Sequence, residues 1–301
     1  MWFARALALQ GNTVVAAIRG EEASYSGLRA ERLKQVTGSA KPFWNLTFGS
    51  DDFIALIRRE GPFDVLCHHA AEVSNYKSPD FDAIAAAGAN THALRTVCRT
   101  LREADCKRIV LTGSVFEADE GAGSMPMRAF SSYGLSKTIT AQAFAFQADQ
   151  EGLALGKFVI PNPFGPYEEP RFTDYLMRTW KEGKTAGVGT PAYVRDNIHV
   201  SLLAAVYARF VQTLPDAGFH KINPSGYVES QGAFASRFAA ELGSRLKLDT
   251  PFSFAKQTEF PEPPVRINTD LIRPSDYDWN EGDAWDQVAR YYGDRLGIAP
   301  R

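Results

Sequence analysis

Cysteine is scarce in this chain: three in 301 residues, Cys67, Cys98 and Cys106, with no regular spacing. Such a count excludes the disulfide framework of small secreted domains and points to reduced thiols in a cytoplasmic protein. Nor is there an excess of one charge, since 33 basic and 35 acidic side chains leave a formal net charge of -2. Bulk nucleic-acid binding needs a basic footprint that this balance does not provide. Long hydrophobic runs are missing too. None reaches the roughly 18–20 apolar residues that span a bilayer. The Ala/Leu-rich opening is interrupted by Arg5 and by Gly11-Asn12-Thr13, which argues against a secretory leader. Internal repeats, low-complexity tracts and charged tails are absent.

What is present is the pattern of an α/β protein. Hydrophobic content of 45% and charged content of 23% are ordinary for a globular chain of this length. Trp2 to Gln10 reads as a helix and Thr13 to Ile18 as a buried strand. Helical "GLRAERLKQV", a short "FWNLTF", helical "DDFIALIRRE" and the strand "FDVLCHHAA" follow. A single helix across "DAIAAAGANTHALRTVCRTLREA" leads to the strand "KRIVLTGSV", and a helix across "SKTITAQAFAFQADQEG" leads to "GKFVIPN". Strands alternating with helices predict a doubly wound parallel sheet covered on both faces. Beyond residue 160 proline and aromatic residues rise, as in "PNPFGPYEEPRF" and "TEFPEPPVRI". The expected organisation is a sheet domain over 1–160 and a smaller α/β lobe over 161–301, with about 196–224 returning to the first domain.

The chemistry concentrates in "SSYGLSK", where Tyr133 and Lys137 lie four apart. On a helix this spacing puts both on one face. A neighbouring ammonium favours phenolate, which makes a tyrosine a usable general acid and base. A solvated helix face would carry the same spacing, so the context matters. Thr112 and Ser114 stand at the end of the strand "KRIVLTGSV", 21 and 19 residues before Tyr133. In extended backbone the two hydroxyls share a side, and ligands of open α/β sheets bind outside the carboxyl ends of the strands. Other clusters are weaker. Cys67, His68 and His69 alternate faces in a strand and cannot converge on one metal ion. Asp51-Asp52 reads as a helix N-terminal cap.

In this order, "LTGSVFE", "YGLSK" and "PNPFGP" resemble the extended short-chain dehydrogenase/reductases, the NAD-dependent epimerase/dehydratase group, over essentially the whole chain. The resemblance implies a Rossmann-type fold in which Tyr133 moves a proton, Lys137 supports it and holds the nicotinamide ribose, and Thr112, or Ser114, hydrogen-bonds the reacting oxygen. "DVLCHHAAEVS" is similar to the family strand whose small residues, here Ala70 and Ala71, border the dinucleotide. Asn90 and Pro161 match further cofactor-side positions. Asn162 in "PNPFGP" and Arg195 in "VRDNIHV" match substrate-holding positions, and an arginine fork suits the diphosphate of a nucleotide sugar. No metal is implied, and relatives pair as homodimers.

Relatives begin with a strand and a G-x-x-G-x-x-G turn, and Met1 falls just after the last of those glycines. The expectation is a sheet without its first strand, open between Thr13–Ile18 and Asp64–His68, weak for dinucleotide and marginally folded, from a late start or a shortened gene. The position that binds ribose hydroxyls in NAD-using relatives is Ile18, followed by Arg19. That pattern resembles NADP preference, with NAD as the alternative; a surface arginine at a strand end would look the same. The family's "H-V-D-D-V" appears as His199-Val200-Ser201-Leu202-Leu203, and its "V-Y-G" as Val115-Phe116-Glu117. These departures leave three readings open: a nucleotide-sugar epimerase or dehydratase, an NADPH-dependent carbonyl reductase, and a non-catalytic dinucleotide-binding product.

Overall fold

The computed structural model describes residues 1–124 and 127–298. They divide into two compact units. The first comprises Met1–Glu120, Met127–Ile160 and Ala204–Asn223. The second comprises, of the described residues, 121–124, 161–203 and 224–298. The chain thus crosses to the second unit after Ile160 and returns at Ala204. Among the described residues no helix is long and apolar enough to cross a membrane.

The first unit is built on β4 (Arg108–Ser114), whose Ile109, Val110 and Leu111 are almost fully buried. A continuous aliphatic run of this kind suits a strand covered on both faces. β4 lies between β3 (Val65–His68) and β6 (Ala154–Ile160), and β10 (Phe219–Ile222) adds to the far side of β6, all parallel. On one face, α3 (Asp51–Glu60), α5 (Leu94–Glu103) and α6 (Ser132–Gln150) supply Ile57, Val97, Leu101 and Phe144 against Ile109, Leu111 and Leu155. On the other, α1 (Trp2–Leu9) and α8 (Val200–Thr213) bring Phe3, Tyr207 and Phe210 onto Phe158. The fold is the expected two-faced parallel α/β layer.

A separate parallel pair joins β1 (Val15–Ala17) to β2 (Lys41–Phe43), which α2 (Gly27–Thr37) connects. Among the described residues β1 pairs only with β2, and β3 only with β4 on its one bonded edge. Their burial follows suit: none of the three residues of β1 and none of the first three of β3 is fully covered.

Three boundaries differ from the sequence reading. The helix expected across residues 82–104 is two, α4 (Ala83–Asn90) and α5, separated at Thr91–Ala93, where Ala93 takes φ +47°. The break brings His92 against Gly49, where a Cβ would sit 2.0 Å from the His92 carbonyl oxygen. The strand expected at residues 43–48 is confined to Lys41–Phe43, because Asn45 and Gly49 adopt left-handed backbone (φ +59° and +77°). The cap of α3 is Ser50, whose Oγ accepts the Phe53 N–H at 3.3 Å, not Asp51 or Asp52. Those aspartates occupy the first turn, where the helix dipole favours them.

The second unit packs α7 (Phe172–Lys181), α9 (Gln231–Leu246) and α10 (Glu281–Leu296) around Trp180, Phe234, Phe238 and Trp285. Its mixed sheet orders β12 (Tyr227–Ser230), β9 (Val194–His199), β14 (Val265–Ile267) and β5 (Ala122–Gly123), with β7 (Asn162–Phe164) also on β9. Two parallel pairs complete it, β8 (Ala186–Val188) with β13 (Phe252–Phe254) and β11 (Pro224–Ser225) with β15 (Asp270–Leu271).

Candidate active site

The N-terminal turn of α6 sets the site. Ser131 caps the helix, its Oγ accepting the Gly134 N–H at 3.0 Å, so the helix includes Tyr133. Gly134 is required there: a Cβ would lie 2.3 Å from the Phe116 carbonyl oxygen, so only a bare backbone lets α6 approach the end of β4. One turn on, Lys137 is buried and its Nζ donates to the Thr112 carbonyl at 2.7 Å. The half-buried Tyr133 ring lies 5.1 Å from that of Tyr76.

The two candidate hydroxyls differ in what they already do. Thr112 Oγ1 donates to the His68 carbonyl at 3.2 Å, across the β3–β4 pairing. Ser114 Oγ accepts the Phe116 N–H at 3.2 Å, which leaves its proton free to donate. Lys137 makes one hydrogen bond among the described residues, leaving two of its three N–H donors without an acceptor. Burial pushes the Lys137 pKa down, Glu117 opposes that, and Lys157 adds to it.

Glu117 and Lys157 belong to a buried ionic cluster that the motif reading did not single out. Glu117 is wholly buried. Its Oε1 accepts the Ser114 N–H at 2.7 Å, and its Oε2 accepts Lys157 Nζ at 2.5 Å. Lys157 also donates to Glu120 Oε1 at 2.6 Å, and Glu120 Oε2 takes Lys221 at 3.1 Å and Asn223 at 2.9 Å. The usable signal was Lys157 itself, one charge in the apolar strand "GKFVI", which must find a counter-charge if buried.

Asn90 is buried and ties two parts of the site together. Its Oδ1 accepts the Glu72 N–H at 2.7 Å and its Nδ2 donates to Thr140 of α6 at 3.1 Å. The loop carrying Ala70 and Ala71 is thereby fixed beyond the end of β3. Arg19, mostly exposed, reaches Glu72 at 3.7 Å. His68 packs on Phe48 and Phe144 while His69 packs on Phe3 and Tyr207, on opposite sides of the strand.

In the second unit Pro161 precedes β7, and Asn162 Nδ2 donates to Asn197 Oδ1 at 2.8 Å. Arg195 is engaged within its own unit. Its Nη1 donates to the Val194, Pro263 and Pro264 carbonyls, its Nη2 meets Glu262 at 2.9 Å, and its guanidinium lies 4.4 Å over the Tyr193 ring. Asp196 beside it accepts the Gly226 and Asn268 N–H groups, which anchors the "VRDNIHV" segment.

The family model described as the NAD dependent epimerase/dehydratase family matches residues 2–223. The chain belongs to that family. None of the curated proteins matches it in sequence. Among solved structures it is similar to UDP-glucose 4-epimerase from Stenotrophomonas maltophila with bound NAD, at 17% identity and TM-score 0.71, covering 99% of this chain and 96% of that one. The Bifidobacterium longum UDP-glucose 4-epimerase with NAD+ and UDP matches at 16% identity and TM-score 0.72, with the same coverage. The Brucella ovis UDP-glucose 4-epimerase with NAD matches at 15% identity and TM-score 0.72, covering 100% and 95%. At these identities the likeness is one of fold.

A nicotinamide dinucleotide is the cofactor of the family, and the donors present fit its nicotinamide-ribose end. Lys137 would have two N–H groups left for ribose hydroxyls, and the loop tied down by Asn90 carries the small residues Ala70 and Ala71. The described residues hold no G-x-x-G-x-x-G turn, so the fit concerns that end alone.

Proposed function

We propose that this family member interconverts a nucleotide sugar by reversible oxidation at a secondary alcohol, with Tyr133 as general acid and base. The observation that carries the reading is the 2.7 Å bond from Lys137 Nζ to the Thr112 carbonyl, which pins the Tyr133 helix to the end of β4. When bound, the nicotinamide accepts and returns a hydride. Tyr133 takes the proton from the substrate hydroxyl and gives it back. Lys137 holds the ribose hydroxyls and favours the phenolate. Ser114 donates to the reacting oxygen, because its proton is free. Thr112 supports the arrangement through its carbonyl and its bond to His68. Asn162 and Arg195 are the substrate contacts. For Arg195 to hold a diphosphate it exchanges the Glu262 carboxylate for phosphate, another acceptor for the same fork.

NADP is the cofactor we infer, on Arg19. Its partner Glu72 holds it only by an exposed pair, which is worth about 0–1 kcal/mol and is readily given up for a 2′-phosphate. The test supplies purified chain with a UDP-sugar and a trace of NADP or NAD. Interconversion of the sugar with cofactor far below one equivalent is the expected result, faster with NADP. One-for-one oxidation of NADPH on a carbonyl substrate would replace this reading with that of a reductase. No turnover on either, with the dinucleotide still bound, would favour a binding protein.

Ile84 of α4 and Leu135 and Phe146 of α6 are exposed apolar side chains on two helices joined by the Asn90–Thr140 bond. We assign this face to a homodimer. Light scattering should then give twice the 33.2 kDa chain mass, whereas a monomer at micromolar concentration would contradict it.

A further inference from the structure

We propose that Glu117 is a positioning residue for the Tyr133–Lys137 pair: its buried carboxylate fixes the end of β4 and holds Lys137 as an ammonium ion. The inference deepens the reading above and rests on it.

A carboxylate enters a protein interior only with partners that repay its lost hydration. Those of Glu117 are informative. One oxygen takes the Ser114 N–H, the last amide of β4, so the carboxylate continues the strand's hydrogen bonding where the ladder ends. The next amide, Val115, is taken by the Ile160 carbonyl of β6. Between the two hydroxyl residues stands Gly113, where a Cβ would lie 2.8 Å from Lys157 Cε and 3.1 Å from Glu117 Oε1. The position separating Thr112 from Ser114 is therefore bare to admit this ion pair.

The second oxygen bonds Lys157, but Lys157 is shared with Glu120. Glu120 is met in turn by Lys221 and Asn223, so the two carboxylates and two ammonium groups form one connected cluster with Glu117 at the end nearest β4. Among the described residues, the charged groups that act on Lys137 are Glu117 and Lys157. Tyr133 lies on its own helix, Glu117 follows β4, Lys157 comes from β6, and His68 and His69 close β3. His68, buried against Phe48 and Phe144, is held down to about 3 and carries no charge, and His69 is shifted the same way. Glu117 is thus the anion and Lys157 the competing cation. A tyrosine whose phenolate relies on Lys137 then depends on a carboxylate that touches neither substrate nor cofactor.

The experiment follows Lys137 Nζ directly, by nitrogen NMR of ¹⁵N-lysine-labelled full chain, with the signal assigned by its loss in Lys137→Arg. Glu117→Gln keeps an acceptor for the Ser114 N–H and removes the charge. It should move the Lys137 titration to lower pH by about one unit, the size expected of one nearby charge. The alkaline limb of turnover should move with it. Glu117→Asp should shift it the same way by a smaller step, and Glu120→Gln, which reaches Lys137 only through the shared Lys157, should shift it less than Glu117→Gln. An unmoved titration in whichever Glu117 variant folds overturns the proposal, as does an equal shift in Glu120→Gln. A purely structural Glu117 would lower stability without moving Lys137. The nitrogen signal needs no substrate. A shifted titration in a chain that turns over no nucleotide sugar therefore sinks the functional reading and leaves the positioning of Lys137 standing.

Discussion

Tyr133→Phe removes a single oxygen and should lower turnover by about 10²- to 10⁴-fold, the usual contribution of a positioned general acid or base. The fold should survive. The Tyr133 ring is half-buried and keeps its contact with Tyr76 without the hydroxyl, and the helix start depends on Ser131 and Gly134. Equal circular dichroism and melting, with turnover lost and dinucleotide still bound, is the pattern expected of a chemical role. KM should change little beside kcat, because the phenol acts mainly in the transition state. More than a tenth of the parent turnover in the phenylalanine variant would remove Tyr133 from the chemistry.

Lys157→Met should have the largest effect on stability. It leaves Glu117 and Glu120, both buried, without their shared cation. Breaking a buried pair from one side costs about 3–5 kcal/mol, against the ~5–15 kcal/mol that holds a domain together. A denaturation midpoint lowered accordingly is the expected readout. Lys184→Ala, which removes an exposed partner of Glu182, should leave it almost unchanged. The pH dependence has a defined sign. Burial disfavours the Lys157 ammonium, but Glu117 and Glu120 outweigh it and raise the pKa above 10.5. Burial likewise opposes the Glu120 carboxylate, and Lys157, Asn223 and Lys221 lower its pKa below 4.5. A raised lysine stabilises fully below its unfolded value and loses that as pH rises through the folded one. A lowered carboxylate does so above its unfolded value and loses it as pH falls. The cluster therefore contributes fully between pH 4.5 and 10.5. The loss on Lys157→Met should be constant inside that window and shrink as pH falls below 4.5 or rises above 10.5, where the parent loses the contribution too. A midpoint unchanged by Lys157→Met would mean that the cluster relaxes into water.

Local chemistry was the readable part of this chain. "DDFIALIRRE" predicted α3 because first-turn acids and apolar spacing lie within ten residues, although the cap falls on Ser50, one residue before the expected Asp51-Asp52. "KRIVLTGSV" predicted β4 because a strand buried on both faces is apolar throughout. The break at Thr91–Ala93 was not readable, since the apolar period runs across it and Gly49, against which His92 comes to lie, is some forty residues earlier. The same holds for the site. Tyr133 and Lys137 announce themselves by helical spacing, whereas Glu117 and Lys157 meet only when β4 and β6 pair. Arg195 shows the converse: its type suggested an anion clamp, and the fold surrounds it with three carbonyls and Glu262.

The solitary pairing of β3 has one more consequence. Every second amide and carbonyl of Val65–His68 points away from β4, and among the described residues β1 likewise has only β2 beside it. Two such margins are templates to which a foreign extended backbone can anneal. Colloidal behaviour in concentrated solution is therefore set by a few short edges, with the net charge of -2 too small to keep molecules apart.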